Sequence, residues 1–312
     1  VPTGDEQSWS IDPFGGEIKK GKIWGRGAAD MKSGIAAFIA AISKFMEMNN
    51  NLQDYGSISL IITSDEEGKA INGTKKVVEW LINKSEKISG CIVGEPTNVN
   101  QMGDTIKIGR RGSFTGSLIV KGIQGHVGYP DLAENPINSL LKMLEPFSKI
   151  YLDKGTNEFQ PSSVMVTTID VNNDASNVIP GEVKAKFNIR FNTLHSVASL
   201  KSMLKNQFDA ITKNYEFDYF CNAEPFLTSD EELKSTLQNA ITKVVNVNPE
   251  KSTTGGTSDA RFITKLCPVI EFGLVGKTMH KIDENVEVDD IMKLTSIYNK
   301  FLHNYFRVEK ND

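Results

Sequence analysis

Residues 57–68, SISLIITSDEEG, join an apolar β-branched run to an abrupt cluster of three acidic side chains. The run over 57–63 predicts a buried strand, because β-branched residues pack well on a pleated surface and the run is too short for a buried helix. Similar short runs occur at 22–25 and 90–94, and residues 34–48 have the spacing of a buried helix. Strands that alternate with helices indicate an α/β sheet with helices on both faces.

The pattern changes near residue 112. From there the sequence predicts a strand, a helix, two strands, a helix and a strand, which is the split βαβ order of a ferredoxin-like α+β domain. The predicted strands are 113–121, 162–171, 178–191 and 215–221, and the predicted helices are 136–150 and 196–211.

After Pro225 the α/β pattern resumes, with a helix at 230–245, a strand at 269–273 and a last helix at 288–305. We therefore predict an α/β fold in which a mixed-sheet domain, formed by residues 1–111 and 226–312, is interrupted by an inserted α+β domain over residues 112–225. A chain of 312 residues is long enough to bury two such cores.

The composition argues against several classes of partner. The formal net charge is −4 and no basic block is present, so we expect no nucleic-acid partner. No apolar run approaches the ~20 residues that a membrane span needs, so we expect no membrane partner. The cysteines Cys91, Cys221 and Cys267 have neither metal-ligand nor redox spacing. Buried thiols of this kind fit a reducing compartment, and we expect a cytoplasmic protein.

Acidic side chains follow three of the predicted strands: Asp30, the run Asp65–Glu67, and Glu95. In open α/β sheets ligands bind beyond the carboxyl ends of the strands, and carboxylates gathered there would repel one another without a cation between them. Acids alone would suit magnesium or calcium. His280, which follows the predicted strand at 269–273, shifts the preference towards zinc, cobalt or manganese.

Any one of these acids, taken alone, is best explained as a solvated loop residue. Glu66 and Glu67 are less ordinary, because neighbouring side chains at a strand end can point in two directions. One carboxylate can then bind a metal ion while the other takes a proton from a water molecule, as a general base does. The three acidic clusters together with His280 favour a metal site over the solvated-loop explanation.

Several motifs occur in the order found in one known group of enzymes. Residues 24–34 (WGRGAADMKSG), 63–68 (TSDEEG) and 93–97 (VGEPT) resemble the metal-site motifs of the di-zinc deacylases and exopeptidases. Residues 107–113 (KIGRRGS) and 122–130 (GIQGHVGYP) are similar to the desuccinylase branch of that superfamily. The resemblance runs from the first residue to about residue 305. It implies a zinc-exopeptidase-like catalytic domain whose inserted domain serves as lid and dimerisation domain.

The resemblance also implies roles for the acidic residues. Asp30 would bridge two zinc ions, with cobalt or manganese as alternatives. Glu67 and His280 would complete the ligands of one ion, and Glu95 would bind the other. Glu66 would be the general base, and the peptide bond after Asp30 would be cis.

For the inserted domain the resemblance implies a homodimer in which His126 crosses to the partner's active site and donates a hydrogen bond to the oxyanion. The implied substrate is N-succinyl-LL-diaminopimelate, whose three carboxylates suit arginine side chains. The implied substrate-binding residues are Arg110, Arg111, Ser113, Asn177, Arg190, Gly256 and Thr257.

Two departures from the family pattern affect these expectations. The family's first metal motif, His-x-Asp, lies just upstream of a Val-Pro, and this sequence begins at that dipeptide, Val1-Pro2. We therefore expect an N-terminally truncated form that holds at most one metal ion well and has weak activity. Gly276 stands where some members have an asparagine that contacts substrate, so that contact is not expected.

Two other functions compete with this one. The first is another deacylase of the same fold, such as an acetylornithine deacetylase or an aminoacylase, and the pair Arg110 and Arg111 and the surroundings of His126 argue against it. The second is a dimeric binding protein that has lost its metal ions. Glu66 argues against the second, because a binding protein has no use for a general base.

Overall fold

The computed structural model describes residues 1–48 and 56–308, which form two compact units. Unit 1 contains the described residues within Val1–Gly109, Leu227–Ser252 and Ser258–Asp312. Unit 2 contains Arg110–Phe226 and Thr253–Thr257. The sequence-based division assigns 226–312 to one domain, whereas residues 253–257 lie with unit 2.

Strands and helices are numbered in chain order. The strands are β1 (Ile18–Lys19), β2 (Lys22–Trp24), β3 (Cys91–Val93), β4 (Thr105–Lys107), β5 (Gly109–Arg110), β6 (Gly112–Lys121), β7 (Gly125–His126), β8 (Ser163–Asp170), β9 (Val178–Ile179), β10 (Glu182–Phe191), β11 (Tyr215–Ala223), β12 (Phe226–Leu227), β13 (Glu250–Ser252), β14 (Val269–Glu271) and β15 (Asn285–Glu287). The α-helices are α1 (Ser33–Glu47), α2 (Thr74–Asn83), α3 (Pro136–Leu144), α4 (Val197–Asp209), α5 (Glu231–Val245), α6 (Ala260–Ile263) and α7 (Val288–Tyr305). Among the described residues, no helix combines the length and apolar character that crossing a bilayer requires.

Unit 1 contains a mixed sheet in the order β13-β4-β14-β3, in which β14 runs parallel to β3 and antiparallel to β4. A smaller antiparallel sheet has the order β1-β2-β15. Helix α7 packs against both α1 and α5. The small buried residues Ala37 and Ala41 of α1 belong to the same core cluster as Ile297 and Tyr298 of α7, since short side chains allow close helix packing.

The predicted strand at 57–63 is wrong, because these residues belong to no strand in the described part of the chain. Ile62 is 60% exposed. An apolar β-branched run has the side chains of a strand, but a strand also needs a neighbour that pairs with its N–H and C=O groups. The described residues supply no such neighbour to this run.

Unit 2 has a four-stranded antiparallel sheet in the order β11-β6-β10-β8. The order of elements, β6, α3, β8, β10, α4 and β11, is the predicted split βαβ pattern, so that prediction is confirmed. Alternate residues of β10 are buried, as expected when one face of a sheet is covered and the other is open.

Proline and glycine account for two differences within unit 2. The predicted strand at 178–191 is interrupted at Pro180-Gly181, and its first part forms the separate strand β9, which pairs with β7. The predicted helix at 136–150 ends as an α-helix at Leu144, and a 3-10 turn over Glu145–Lys149 follows. Pro146 explains this change, because proline has no N–H to donate and its ring clashes with the preceding turn.

Candidate metal centre

Asp30, Glu67 and His280 come together in unit 1. The Nε2 atom of His280 lies 3.0 Å from Asp30 Oδ2 and 2.9 Å from Glu67 Oε1. One ligand atom from each of the three residues lies within 4.8 Å of the other two. These residues are here called the Asp30 centre. They are three of the four predicted metal ligands.

The donor set of the Asp30 centre suits a borderline divalent cation. Two carboxylate oxygens and one imidazole nitrogen are ligands for zinc, and ligands about 2.1 Å from one tetrahedral ion lie about 3.4 Å apart. The observed separations of 2.9 and 3.0 Å are only slightly shorter. The side chain of Asp30 is 12% exposed, whereas those of His280 and Glu67 are 50% and 41% exposed, so the centre opens to solvent on one side.

Asp30 lies in the short turn Ala28–Lys32, between β2 and α1. The peptide bond between Asp30 and Met31 is cis, as the resemblance implied. Burial and then the negative charge of Glu67 raise the pKa of the Asp30 carboxyl above its ordinary value, while His280 lowers it. A cation in the centre would favour the ionised carboxylate.

His280 lies in the loop between β14 and β15, which is braced at both ends. The Gly276 N–H donates to the Asn98 carbonyl at 2.9 Å. The Thr278 hydroxyl donates to the Asn285 carbonyl at 2.6 Å and accepts from the Asn285 N–H at 3.1 Å. His280 itself has φ 64°, a left-handed conformation that is uncommon for a residue with a Cβ and that the bracing holds in place.

Asp65 organises the loop that presents Glu66 and Glu67. Its Oδ2 accepts hydrogen bonds from the N–H groups of Ile71 at 2.5 Å and Asn72 at 2.8 Å. These bonds, with that from Asn72 the strongest, lower the pKa of the Asp65 carboxyl. Asp65 is therefore a structural member of the acidic run and is not a candidate for the chemistry.

Glu66 has the most perturbed carboxyl of the site. Burial first, and then the negative charges of Glu67 and Asp259, raise its pKa to about 7, while Arg261 opposes them. A carboxyl with a pKa near the working pH is suited to general base catalysis. Within the described residues, Asp259 Oδ1 and Arg261 Nε are buried and make no hydrogen bond.

Glu95 follows β3 at the carboxyl end of the mixed sheet, as predicted, but is not part of the Asp30 centre. The backbone at Gly94 and Glu95 passes very close to Gly273, which follows β14. A Cβ on Gly273 would overlap the carbonyl oxygens of Gly94 and Glu95, so this position requires glycine. The neighbouring strand β14 therefore fixes the position of Glu95, the predicted fourth ligand, at the end of β3.

Among the predicted residues of unit 2, His126 is exposed in β7. Its Nδ1 accepts a hydrogen bond from the Gly128 N–H at 2.9 Å, so the neutral imidazole carries its proton on Nε2. The Val127 N–H donates to the Asn177 carbonyl at 3.1 Å, which ties the two segments together. His126 thus presents a hydrogen-bond donor to solvent.

Arg111 and Arg190 of unit 2 lie close enough for their charges to interact. Burial, and then the like charge of Arg111, lower the pKa of Arg190. Arg111 donates to the Pro161 carbonyl at 3.1 Å and Arg110 to the Thr254 carbonyl at 3.1 Å. The remaining predicted substrate-binding residues also lie in unit 2. Ser113 is buried, Thr257 is partly buried and Gly256 is exposed.

Sequence reasoning missed two contributors to the Asp30 centre. Glu284 is fully buried and accepts hydrogen bonds from the backbone around Asp30. Arg26 forms an ion pair with Glu284 at 2.6 Å. Arg26 lies within the quoted motif at 24–34 and Glu284 lies four residues after His280, but nothing in the sequence shows that the two side chains meet.

The model of peptidase family M20/M25/M40 matches residues 1–304, and the chain belongs to this family. The chain is 53% identical over 310 residues to a protein of Pelagibacter ubique named succinyl-diaminopimelate desuccinylase. The aligned region covers 98% of this chain and 80% of that protein. The chain is 50% identical over 306 residues to a protein of the same name from Rhodospirillum centenum, covering 98% of this chain and 79% of that one.

Solved structures agree on the fold. The M20 family metallo-carboxypeptidase Sso-CP2 of Sulfolobus solfataricus gives a TM-score of 0.73 at 17% identity, covering 98% of this chain and 83% of that one. The YXEP protein of Bacillus subtilis, described as a dinuclear metal binding peptidase, gives a TM-score of 0.66 at 13% identity, covering 89% of this chain and 72% of that one. The predicted fold class and the predicted family resemblance are both confirmed.

Proposed function

We propose that this chain is a metal-dependent amide hydrolase that converts N-succinyl-LL-diaminopimelate and water to succinate and LL-diaminopimelate, a step in diaminopimelate and lysine biosynthesis in the cytoplasm. The observation that carries the proposal is the convergence of Asp30, Glu67 and His280 beside the perturbed carboxyl of Glu66. The names of the relatives at 53% and 50% identity supply the substrate.

Zinc is the ion that the donor set favours, with cobalt or manganese as alternatives. A bound divalent ion polarises a carbonyl group and lowers the pKa of a water molecule. Asp30, Glu67 and His280 would hold the tighter ion, and Asp30 with Glu95 would hold the weaker one. Titration calorimetry should show one tight equivalent of zinc per chain, and two tight equivalents would contradict this assignment.

Glu66 acts as the general base and takes a proton from the attacking water. The same carboxyl then gives the proton to the leaving amine, because an acid that forms in one step is available in the next. Glu66→Gln should lower kcat by about 10²–10⁴-fold. Its zinc affinity should stay within a few-fold of the wild type, whereas Glu67→Gln should weaken zinc binding as well.

His126 donates a hydrogen bond from Nε2 to the developing oxyanion of a partner subunit, with Asn177 supporting that segment. The protonated Nε2 suits this role. The homodimer forms through unit 2, whose edge strand β8 carries the exposed apolar residues Met165, Val166 and Ile169. An exposed apolar edge strand is a natural site for pairing with a second copy.

Mixing two inactive variants tests this arrangement across subunits. His126→Ala and Glu66→Gln each disable the homodimer, but a mixed dimer has one site with both residues intact. Random exchange makes half the dimers mixed, so about one quarter of the wild-type activity should return. No recovery after demonstrated subunit exchange would place His126 in the active site of its own chain or outside it.

The substrate carries three carboxylates, which Arg110, Arg111 and Arg190 bind, while Ser113, Gly256 and Thr257 make smaller polar contacts. The like charges of Arg111 and Arg190, already partly buried, favour an anion beside them. Arg190→Lys should raise KM for the succinylated substrate more than it lowers kcat, since lysine cannot bind a carboxylate through two parallel hydrogen bonds.

Hydrolysis assays decide among the candidate functions. Wild-type chain loaded with zinc should release succinate from N-succinyl-LL-diaminopimelate, and Glu66→Gln should release it about 10²–10⁴-fold more slowly. Preference for N-acetylornithine would instead assign the chain to another deacylase activity. Tight binding of either compound without turnover, unaffected by Glu66→Gln, would establish a binding protein.

A further inference from the structure

Glu284 is a fully buried carboxylate with four hydrogen-bond donors around it. Its Oε1 accepts from the N–H groups of Ala29 at 2.8 Å and Asp30 at 2.9 Å. Its Oε2 accepts from the Gly27 N–H at 3.1 Å and from Arg26 Nη1 at 2.6 Å. Three of the four donors are therefore backbone groups of one short segment, and that segment carries the metal ligand Asp30.

Burying a carboxylate costs several kcal/mol unless charged partners and hydrogen bonds compensate for the lost water. Arg26 supplies the opposite charge, and its side chain is only 8% exposed. The backbone N–H groups satisfy the remaining lone pairs. Because both oxygens of a rigid planar carboxylate are used, the positions of Ala29 and Asp30 relative to Glu284 are closely fixed.

Glu284 is also connected to the loop that carries His280. Glu284 follows His280 by four residues, and its own carbonyl accepts from the Gly25 N–H at 2.9 Å. The Thr278–Asn285 bonds close the loop between them. One side chain and its backbone thus join the segment of Asp30 to the loop of His280.

We infer that Glu284 is a positioning residue that sets the separation of Asp30 and His280, and thereby the metal affinity of the Asp30 centre. The inference rests on the proposed metal-dependent function but not on the identity of the substrate. Glu284 does not bind the ion itself, because its oxygens are occupied by Arg26, Gly27, Ala29 and Asp30.

Glu284→Gln tests the inference with little change in volume. The glutamine amide has one oxygen and one NH₂ group. Its NH₂ group, a donor, must therefore face other donors, either the N–H groups of Ala29 and Asp30 or those of Arg26 and Gly27. Zinc affinity, measured by competition with a chelating dye, should fall about 10–100-fold, as is typical when a group that orients a metal ligand is changed. Hydrogen exchange of the Ala29 and Asp30 amides should also become faster in the metal-free protein.

Asp104→Asn is the matched control. Asp104 is a carboxylate of unit 1 that likewise holds a loop, accepting from the N–H groups of Val99 at 2.9 Å, Asn100 at 2.7 Å and Gln101 at 3.0 Å. Among the described residues its side chain bonds Val99, Asn100, Gln101 and Thr105 and no member of the Asp30 centre. This variant should lose stability while its zinc affinity stays within about twofold of the wild type, since only groups that orient a ligand affect the metal.

Zinc affinity and hydrolysis together distinguish failure of this inference from failure of the proposed function. Zinc affinity unchanged in folded Glu284→Gln overturns the inference and leaves the proposed function intact. If Glu284→Gln does not fold, Glu284→Asp keeps the charge but shortens the side chain, and wild-type affinity in that variant overturns the inference equally. A wild-type chain that binds zinc but hydrolyses nothing overturns only the proposed function, and a wild-type chain that binds no metal overturns both.

Discussion

Replacing Glu66 by glutamine should stabilise metal-free unit 1 at neutral and alkaline pH. Burial and the charge of Glu67 raise the pKa of Glu66 from its ordinary 4.5 to about 7. Between these values the folded protein keeps a proton that the unfolded chain has released. The native protein therefore loses stability as the pH rises through this window, and glutamine, which has no proton to release, avoids the loss.

The size of the effect follows from the pKa. A change from 4.5 to about 7 corresponds to about 3.4 kcal/mol at 1.36 kcal/mol per pH unit. Glu66 is partly exposed to solvent, which screens the charge and reduces this to about 1–2 kcal/mol. The free energy of unfolding of Glu66→Gln, relative to the wild type, should therefore rise by about 1–2 kcal/mol between pH 4.5 and pH 7 and then remain level.

Urea unfolding followed by tryptophan fluorescence measures this difference. All three tryptophans, Trp9, Trp24 and Trp80, lie in unit 1, so the signal reports the unit that contains Glu66. A chelator should be present throughout, because a bound cation would favour the ionised carboxylate and reverse the effect. Measurements at half-unit intervals from pH 4.5 to pH 8.5 define the window.

Glu79→Gln provides the control. Glu79 is an exposed carboxylate of α2, and its hydrogen bond to Lys76 lowers its pKa, so this variant should show no gain in stability as the pH rises. A Glu66→Gln difference that is independent of pH, or that falls between pH 4.5 and pH 7, would refute the argument that the folded structure holds Glu66 protonated.

Three further substitutions test buried packing and hydrogen bonding in the two units. Gly273→Ala should destabilise unit 1 by about 1–3 kcal/mol and displace Glu95, because its Cβ would overlap the Gly94 and Glu95 carbonyls, and thermal unfolding with zinc titration measures both effects. Asn98→Ala should cost about 2–4 kcal/mol by urea unfolding, since the buried side chain bonds three backbone groups. Gly116→Ala should destabilise unit 2 by a similar amount to Gly273→Ala, because its Cβ would overlap the Phe187 ring.

Gly256→Ala serves as the control for both glycine variants. A Cβ there meets no atom within 4 Å among the described residues, so thermal unfolding should change little. Equal destabilisation by Gly256→Ala would refute the overlap explanation, because alanine restricts the unfolded chain and by that route stabilises the fold. For Asn98→Ala, a loss below about 1 kcal/mol would show that water replaces the lost bonds.

The general location of the site could be predicted from the sequence. Asp30 follows β2 and His280 follows β14, so the rule that ligands gather beyond strand ends was enough to group these two, whereas Glu95, which follows β3, lies outside the Asp30 centre. The ferredoxin-like order of unit 2 was equally accessible, because its strands alternate and its helices are amphipathic.

Contacts between distant segments could not be predicted in this way. Residues 57–63 have the composition of a strand, yet pairing depends on a neighbouring backbone that composition does not specify. Asp65 stands beside Glu66 in the same acidic run, but only the loop geometry shows that it bonds Ile71 and Asn72 instead of facing the centre. The short strands β4 and β13, three residues each, were missed because they are too brief to show a period.

The spacing of the Asp30 centre is ultimately a property of helix packing. Helix α1 begins three residues after Asp30, and α7 begins eight residues after His280. The two helices pack directly on each other, since the rings of Phe38 and Tyr298 stack with centroids 3.9 Å apart. Interiors are close-packed and resist deformation. The helix pair therefore limits how far the two ligand segments can separate, and Glu284 fixes their final positions within that limit.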